Sequence, residues 1–344
     1  MQAIILENFG SVEQLRKGEM PDPQAKAGEV RIRVSHAAFN PVDYKIRRGD
    51  YAGSLPLVLG ADCSGVIDQI GSHVQGFSLG EEVMAFVFGQ ASNGTYAELV
   101  CVPSTFVVKK PKSFSLAQAA AFPLASLTAY RALISSRMLV KGDTLFIAGA
   151  GGGVGSSAVP LAKYAGASSI FTIAKNEESK GYLVEKLGLK SKHITLYEGC
   201  SHERLVEKIL EGNEGHLFTF SCDFVGGDRK ALCMQLTQHS GRFTTIVPED
   251  PVFTLPSWVR GSMPIVKNLT VNFTFVGSEA FMHSKERWTI YSQQLFQLAQ
   301  LVDQNHLPPP ETRLVGDFCI ETVKQAHQLL EEGRVKGKLV MSVP

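Results

Sequence analysis

The stretch Thr144-Leu145-Phe146-Ile147-Ala148-Gly149-Ala150-Gly151-Gly152-Gly153-Val154-Gly155 decides the fold of this chain. Its apolar half predicts a strand, its glycines predict a tight turn, and residues 156–164 have the pattern of a helix. In a dinucleotide-binding turn, the middle glycine lets the backbone approach a pyrophosphate, and the last glycine lets the helix pack closely against the strand. Free N–H groups at the helix N-terminus then meet the phosphates. We therefore expect residues Gly152, Gly153, Val154 and Gly155 to bind a dinucleotide.

The alternation of apolar strand and amphipathic helix continues from residue 126 to residue 276. Segments such as Ser179–Leu187 and His202–Leu210 have apolar residues at i, i+3 and i+4, which is typical of helices that cover a parallel sheet. The predicted strands are Thr144–Ala148, Ile170–Ala174, His193–Leu196, Leu217–Cys222, Phe243–Val247 and Leu269–Val276. This pattern predicts an α/β, doubly wound, six-stranded Rossmann domain. Because no Gly-Lys-Ser/Thr closes the glycine turn, a mononucleotide P-loop is disfavoured.

The end of the second predicted strand indicates which dinucleotide binds. An NAD-binding domain has an acidic residue there, which accepts a hydrogen bond from the ribose 2′-OH. This chain has Lys175 and Asn176 at that position instead. Lys175 or Lys180 can pair with a 2′-phosphate, so we expect the cofactor to be NADPH. The alternative is that both lysines are solvated surface residues.

The chain on either side of the Rossmann segment has a different character. Residues 1–125 contain short β-branched runs broken by glycine, among them Val30–Val34 and Glu82–Val87, which predict an antiparallel, barrel-like β-domain. After residue 277 the sequence predicts a helix over Lys285–Asn305, a second helix over Ile320–Glu332 and a strand over Lys338–Val343. This tail is too short to fold alone, so we expect it to return to the first domain.

Composition excludes several other classes of protein. The chain has 344 residues, a net charge of +1 and 44% hydrophobic residues, so it has no charge imbalance that would attract nucleic acid. No stretch reaches the ~18 uncharged apolar residues of a membrane span. The N-terminal residues do not resemble a signal peptide, and the six cysteines show no Cys-x-x-Cys spacing. We expect a cytoplasmic protein that binds no nucleic acid and has no membrane span.

Four stretches together resemble a known family over nearly the whole chain. They are Phe39–Gly49, Leu57–Val66, Leu127–Leu133 and Glu332–Val340. In these stretches the sequence is similar to the zinc-independent quinone oxidoreductases of the medium-chain dehydrogenase/reductase superfamily. The resemblance implies a GroES-like catalytic domain made of residues 1–125 and 277–344, with the Rossmann domain, residues 126–276, inserted between them.

The resemblance also implies roles for single residues and for association. Lys180 and Tyr197 match positions near the adenosine 2′-phosphate, while Thr128 and Arg334 match positions near the cofactor. Relatives associate through the last Rossmann strand, here Leu269–Val276, which is long and apolar. A homodimer, or a tetramer built from dimers, is therefore expected.

Zinc-dependent relatives hold their metal with a cysteine in the first of these motifs and a Gly-His-Glu in the second. Here Asn40 takes the place of the cysteine, and Gly60-Ala61-Asp62 takes the place of Gly-His-Glu. Catalytic zinc needs three protein ligands, and an alanine cannot ligate. The sequence therefore predicts an enzyme without a metal.

Without a Lewis acid, the acceptor must accept hydride readily, as quinones and α,β-unsaturated carbonyls do. Asn40 and Tyr44, which the resemblance places in the substrate cleft, offer an amide N–H and a phenol to the oxygen that gains charge. Tyr44 can instead be a wall of the pocket, with water as the proton source, and Asp43 is expected to bind backbone N–H groups locally. The predicted function is NADPH-dependent reduction of a quinone. The alternatives are a 2-alkenal or enoyl reductase and a catalytically weak NADPH-binding protein.

Overall fold

The computed structural model describes residues 1–51, 54–87, 93–248, 266–282 and 285–344. The chain divides into two compact units. Unit 1 consists of residues Met1–Leu127 and Gly277–Pro344, and unit 2 consists of Thr128–Val276. Unit 1 is therefore built from both ends of the described chain, and unit 2 is an insertion within it.

The N-terminal part of unit 1 consists mainly of strands. They are β1 (Gln2–Leu6), β2 (Leu15–Glu19), β3 (Glu29–Ala38), β4 (Leu57–Val58), β5 (Asp62–Ile70), β6 (Glu82–Phe86), β7 (Leu99–Pro103) and β8 (Val107–Lys109). Helix α1 (Pro41–Arg48) follows β3, and helices α2 (Leu116–Ala121) and α3 (Pro123–Tyr130) follow β8. Proline at the first position of α1 suits a helix start, where its missing N–H is not needed.

Unit 2 alternates strands and helices. Its elements are β9 (Thr144–Ala148), α4 (Gly153–Tyr164), β10 (Ser169–Ala174), α5 (Glu177–Glu185), β11 (Ile194–Leu196), α6 (His202–Gly212), β12 (Phe218–Asp223), α7 (Asp228–Leu236), β13 (Thr237–Thr245) and β14 (Thr270–Phe273). The six strands are parallel in the order β11-β10-β9-β12-β13-β14. This is the doubly wound Rossmann order, and the prediction of an α/β fold with this sheet is confirmed.

The C-terminal elements belong to unit 1. They are α8 (Ser278–Phe281), α9 (Thr289–Asp303), β15 (Thr312–Asp317), α10 (Ile320–Glu331) and β16 (Lys338–Ser342). Strands β15 and β16 extend the main sheet of unit 1, whose order is β15-β16-β3-β5-β6-β8 with β7 also paired to β3. A smaller sheet, β2-β1-β4, completes the unit.

Aromatic side chains attach α9 to the N-terminal strands of unit 1. The ring of Phe106 lies 4.7 Å from the ring of Tyr291 and 5.1 Å from that of Trp288, centroid to centroid. Phe86, on β6, lies 5.3 Å from Tyr291. All four side chains are buried. Aromatic pairs at these distances bury large apolar area, so the tail stabilises the N-terminal strands directly.

Two strands of unit 2 differ by more than one residue at an end from their predicted bounds. The sequence predicts a strand over Phe243–Val247, whereas β13 begins at Thr237 and contains an irregularity where its register against β12 shifts. Ser240, with a φ of 54°, lies in that irregular part, and its polar neighbours show no apolar period. Strand β14 is shorter than the predicted Leu269–Val276, because its pairing with β13 ends at Phe273.

Strand β14 lies at the edge of the Rossmann sheet as far as the chain is described. Phe273 and Phe275, at and after its end, have 64% and 47% of their surface exposed.

Among the described residues, no helix is both long and apolar enough to cross a bilayer.

We expect two copies of this chain to pair along β14, since an edge strand with exposed aromatic side chains at its end readily accepts another strand. Light scattering at micromolar concentration should report a dimer or a tetramer. Phe273→Lys with Phe275→Lys should shift the mass toward the monomer, whereas Phe296→Lys, a comparable exposed phenylalanine on α9, should not. A wild-type monomer would contradict the expectation.

Candidate functional site

The glycine turn of unit 2 joins β9 to α4. A Cβ added at Gly155 would lie 2.1 Å from the carbonyl oxygen of Gly149 and 2.6 Å from Cα of Ala150, so only glycine allows α4 to approach the strand this closely. A Cβ at Gly152 would meet nothing nearer than the oxygen of Gly149 at 3.5 Å, an ordinary contact. Gly152 is therefore not required by the packing of the protein itself.

Helix α4 begins without a side-chain cap. Gly152 precedes its first residue and has no side chain that could accept a hydrogen bond from the first turn. The first N–H groups of a helix have no partner within the helix, and here they belong to Gly153, Val154 and Gly155. An uncapped helix N-terminus with a bare glycine beside it fits a phosphate group, because it offers N–H donors and a partial positive charge.

The end of β10 carries no acidic side chain. Asn176 instead begins α5, and its side-chain oxygen accepts a hydrogen bond from the N–H of Ser179 at 3.1 Å. Lys175 is exposed and lies 3.7 Å from the carboxylate of Glu198. Lys180, in the first half of α5, is partly buried. The position where an NAD-binding domain has its acid is thus filled by a helix-capping amide.

Tyr197 lies beside the same strand end. Its backbone N–H donates to the carbonyl of Ala174, the last residue of β10, at 3.0 Å. The guanidinium of Arg229, in the first turn of α7, stands 4.3 Å from the centre of the Tyr197 ring. Arg229 cannot be recognised from the sequence, because it lies on another helix and only the folded sheet brings it to Tyr197. This contact adds a cation near the strand end.

The remaining two residues expected near the cofactor lie in different surroundings. Thr128 is buried on α3. Arg334 lies between α10 and β16 with a largely exposed side chain, and its guanidinium is 3.1 Å from the carboxylate of Glu332. Their roles toward the cofactor stay predictions.

Asn40 precedes α1 in unit 1, and its side chain is buried. The amide Nδ2 donates to Oδ2 of Asp62 at 3.0 Å, and Oδ1 accepts a short hydrogen bond from the ammonium of Lys338. Oδ1 of Asp62 accepts a further bond from the N–H of Leu124 at 2.8 Å. Burial raises the pKa of Asp62, and the Lys338 charge acts against that rise. Lys338 was not identified as a site residue from the sequence.

Asp43 forms a second buried group with neighbours from distant parts of unit 1. It accepts hydrogen bonds from the N–H of Asn40 at 2.8 Å and from the hydroxyl of Tyr96 at 2.9 Å, so its expected local role is confirmed. Burial raises the pKa of Asp43 to about 7, against these two bonds and the charge of Lys338. Nε2 of His327 lies 3.5 Å from the Tyr96 oxygen, and burial lowers the His327 pKa to about 3.

Tyr44 follows Asp43 on α1 and is only partly buried. Burial raises the pKa of its phenol, and the charge of Arg48 one turn later acts in the opposite direction. Its hydroxyl has no hydrogen-bond partner within the residues that the structure describes. A neutral phenol of this kind can donate a hydrogen bond to another molecule.

The donors of unit 1 do not resemble a zinc site. Ala61 has no donor atom, and the side chains of Asn40 and Asp62 are bonded to the Lys338 ammonium. Within the ranges that the structure describes, no group of three or more His, Cys, Asp or Glu side chains is arranged to hold a metal ion.

The sequence matches two family descriptions. "Alcohol dehydrogenase GroES-like domain" matches residues 26–112, and "Zinc-binding dehydrogenase" matches residues 209–341. Among curated proteins, "NAD(P)H oxidoreductase RTN4IP1, mitochondrial" of Mus musculus is 30% identical over 372 residues, which cover 100% of this chain and 89% of that protein. The chain therefore belongs to the medium-chain dehydrogenase/reductase superfamily.

Other relatives match over part of their length. "Synaptic vesicle membrane protein VAT-1 homolog-like" of Mus musculus is 36% identical over 194 residues, covering 54% of this chain and 46% of that protein. "NADPH-dependent alkenal/one oxidoreductase, chloroplastic" of Arabidopsis thaliana is 36% identical over 198 residues, covering 55% and 50%. The alignments thus span about half the length of these curated relatives. The solved quinone oxidoreductase of Coxiella burnetii has a TM-score of 0.77 and 27% identity, covering 100% of this chain and 99% of its own.

The buried carboxyl of Asp43 should make stability depend on pH. An unfolded aspartate has a pKa of about 3.9, so the folded protein binds an extra proton between about pH 4 and about pH 7. Asp43 alone should therefore make stability fall as the pH rises across that window, by at most about 1.4 kcal/mol per pH unit for one proton. The buried His327, whose pKa is lowered to about 3, acts in the opposite direction below about pH 6.5. Asp62, whose pKa is also raised, acts in the same direction as Asp43.

Asp43→Asn keeps an acceptor for both hydrogen bonds and cannot ionise. Its free energy of unfolding relative to that of the wild type, measured by urea denaturation between about pH 5 and about pH 8, should rise with pH, because only the wild type loses the stabilising proton on Asp43. Asp50→Asn, at an exposed carboxylate, is the control. An unchanged pH profile in Asp43→Asn would show that this carboxyl does not titrate in the window.

Proposed function

We propose that this protein is an NADPH-dependent, zinc-independent oxidoreductase that transfers hydride to a quinone. One combination of features supports the proposal. In unit 2, helix α4 begins without a side-chain cap, as a phosphate-binding helix does. In unit 1, the ammonium of Lys338 is bonded to Asn40, which stands where zinc-dependent relatives have a ligand. The quinone oxidoreductase of Coxiella burnetii, which shares the fold, supports the choice of acceptor.

Zinc independence is supported by the chemistry of the side chains. One matching family description names zinc, but the motif positions of this chain hold an amide, a methyl group and one carboxylate. Zinc prefers thiolate and imidazole donors with few carboxylates, and a catalytic site needs three protein ligands. The Lys338 ammonium is already bonded to the Asn40 amide and the Asp62 carboxylate, so its positive charge would repel a zinc ion at the same place.

NADPH as the cofactor is supported by the charges around the end of β10. Lys175, Lys180 and Arg229 lie on this part of unit 2, and the acid that would favour NAD is replaced by the capping Asn176. The uncapped N–H groups of Gly153, Val154 and Gly155 would hold the pyrophosphate. When bound, the reduced nicotinamide supplies the hydride. Thr128 and Arg334 complete the set of residues that we assign to the cofactor.

In unit 1 the residue best suited to act on the acceptor is Tyr44. When hydride adds to a conjugated acceptor, negative charge develops on its oxygen, and a neutral phenol can donate a hydrogen bond or a proton there. The raised pKa of Tyr44 keeps the phenol protonated at neutral pH. The amide of Asn40 is buried and bonded to Asp62 and Lys338, so we assign it to holding this end of α1 as well as to the acceptor.

A 2-alkenal or enoyl acceptor is the second candidate. The Arabidopsis thaliana relative named for alkenal reduction is 36% identical over its aligned part, and an enolate oxygen would use the same donor as a reduced quinone. Both acceptors add hydride and then a proton, so the residues of unit 1 serve either.

A panel of quinones and 2-alkenals, with NADPH consumption followed by absorbance, tests the proposal directly. We expect reduction of at least one quinone, no loss of activity with a chelator, and less than stoichiometric zinc by metal analysis. One tightly held zinc per chain with chelator-sensitive activity would overturn zinc independence. Efficient oxidation of a simple alcohol without reduction of any conjugated acceptor would overturn the reaction class. NADPH binding without turnover would leave a catalytically weak binding protein.

Tyr44→Phe deletes only the hydroxyl and should lower kcat. Removing one donor to a developing oxyanion commonly costs ~10²–10³-fold in rate, whereas loss of a pocket wall mainly raises KM. The measurement is steady-state kinetics with one quinone and one enal, beside Tyr164→Phe, an exposed tyrosine at the end of α4, as the control. A kcat close to that of the wild type would assign proton delivery to water.

Lys180→Ala should weaken NADPH much more than NADH. A hydrogen bond to a charged group contributes about 1.5–3 kcal/mol, so loss of one contact to the 2′-phosphate predicts a rise in Kd for NADPH of roughly 10- to 150-fold. Fluorescence titration with both cofactors measures this, and Lys190→Ala, at an exposed lysine before β11, is the matched control. Equal weakening of both cofactors would show that Lys180 does not contact the phosphate.

A further inference from the structure

The ammonium of Lys338 is buried in unit 1 among oxygen atoms from two other segments. It donates to Oδ1 of Asn40 and lies 3.4 Å from both the carbonyl oxygen of Phe39 and Oδ2 of Asp62. A lysine ammonium has three N–H donors and no acceptor, so these three oxygens satisfy it completely. The side chains of Lys338 and Asp62 have 5% and 0% of their surface exposed.

Three neighbouring strands bring these groups together. Strand β16 pairs with β3 through Val340 and Ala38, and β3 pairs with β5 through Ala38 and Asp62. Asn40 follows the end of β3, so the lysine at the start of β16 and the aspartate at the start of β5 approach it from opposite sides. This placement follows from the strand register alone and does not depend on a flexible loop.

The charges also fix which way the Asn40 amide is turned. An ammonium can only donate, and a carboxylate can only accept, so Oδ1 must face Lys338 and Nδ2 must face Asp62. The backbone N–H of Asn40 donates to Asp43, whose own N–H donates back to the carbonyl of Asn40 at 3.0 Å. The first turn of α1 is therefore held by Asn40 at its start, and Tyr44 is the residue after Asp43.

We propose that Lys338 is a positioning residue for the acceptor site: its ammonium acts as the internal cation that holds Asn40 and Asp62 together and so fixes the turn of α1 that carries Tyr44. The inference rests on the proposed function for its effect on turnover, but its effect on α1 does not. A charge pair buried in this way is costly unless every donor and acceptor is matched, and here every donor of the ammonium is.

The experiment compares Lys338→Met with the wild type by two measurements. Hydrogen exchange of the peptide covering residues 39–48 reports the order of α1 without any substrate, and steady-state kinetics with NADPH and a quinone reports turnover. We expect faster exchange in that peptide. We also expect kcat to be lower by about 10- to 100-fold, which is the range for residues that hold a functional residue in place without contacting the substrate. The Kd for NADPH should stay unchanged. Lys109→Met, at an exposed lysine paired with Glu81, is the matched control and should leave both readouts unchanged.

A double variant links the effect to Tyr44. If Lys338 acts by placing the Tyr44 hydroxyl, Tyr44→Phe should cost much less in the Lys338→Met background than in the wild type. If Tyr44→Phe costs its full factor in both backgrounds, the two residues act independently and the proposal is wrong.

Further variants keep the test decisive. Where Lys338→Met does not fold, Lys338→Met with Asp62→Asn removes both buried charges and should still show faster exchange in residues 39–48. Lys338→Arg keeps the charge and should restore slow exchange. Unchanged exchange in the Met variants would overturn the positioning role even if the wild type reduces quinones. If the wild type reduces none of the acceptors but exchange responds as expected, the proposed function fails and the positioning role stands.

Discussion

The pairing of β16 with β3 is the contact on which unit 1 depends. It inserts a strand from the C-terminal segment into a sheet whose other strands are mostly N-terminal, and it buries an ammonium beside a carboxylate 276 positions away in sequence. Removing one partner of such a buried pair is strongly destabilising, by ~3–5 kcal/mol, because the other charge is left alone in a medium of low dielectric. Replacing both charges by apolar side chains of similar volume would cost the sheet little, whereas a shifted register of β16 would leave Asp62 without its cation.

The fold could be read from the sequence where local chemistry decides it. The glycine turn, with an apolar run before it and a helical pattern after it, specifies β9 and α4. Gly155 can be recognised because the close packing of α4 on the strand leaves no room for a Cβ there. Strand β13 was misplaced because it begins with polar residues and a residue in the left-handed region, where no period can be recognised. The end of β14 was misplaced because pairing with a neighbour, and not apolar character, determines where a strand stops.

The residues of the candidate site also fall into two groups, those that can be recognised from the sequence and those that only the folded structure brings together. Single positions reveal the glycine turn, and they also reveal that Asn40 and Ala61 replace zinc ligands, so the sequence alone is enough to find these features. Lys338, Tyr96 and His327 were not identified, because each acts through partners far away in sequence. A lysine directly before the apolar run Leu339-Val340-Met341 was the one available signal, since a charge at the start of a buried strand needs a partner. Arg229 carried no such signal.

Unit 1 is made of two segments that the ribosome synthesises at different times, and this affects how the nascent chain folds. Ribosomes add about 5–20 residues per second, so Asp62 is synthesised long before the lysine that neutralises it, and the whole of unit 2 lies between them. Unit 2 has its own core, formed around Phe146, Phe171 and Phe218, and it can collapse while unit 1 still lacks β16. During that interval the part of the β3 edge at residues 36–38, which β16 later covers, is open, and Asp62 must stay hydrated or protonated. A nascent chain of this protein is therefore exposed to aggregation through its first-made unit until its last strand arrives.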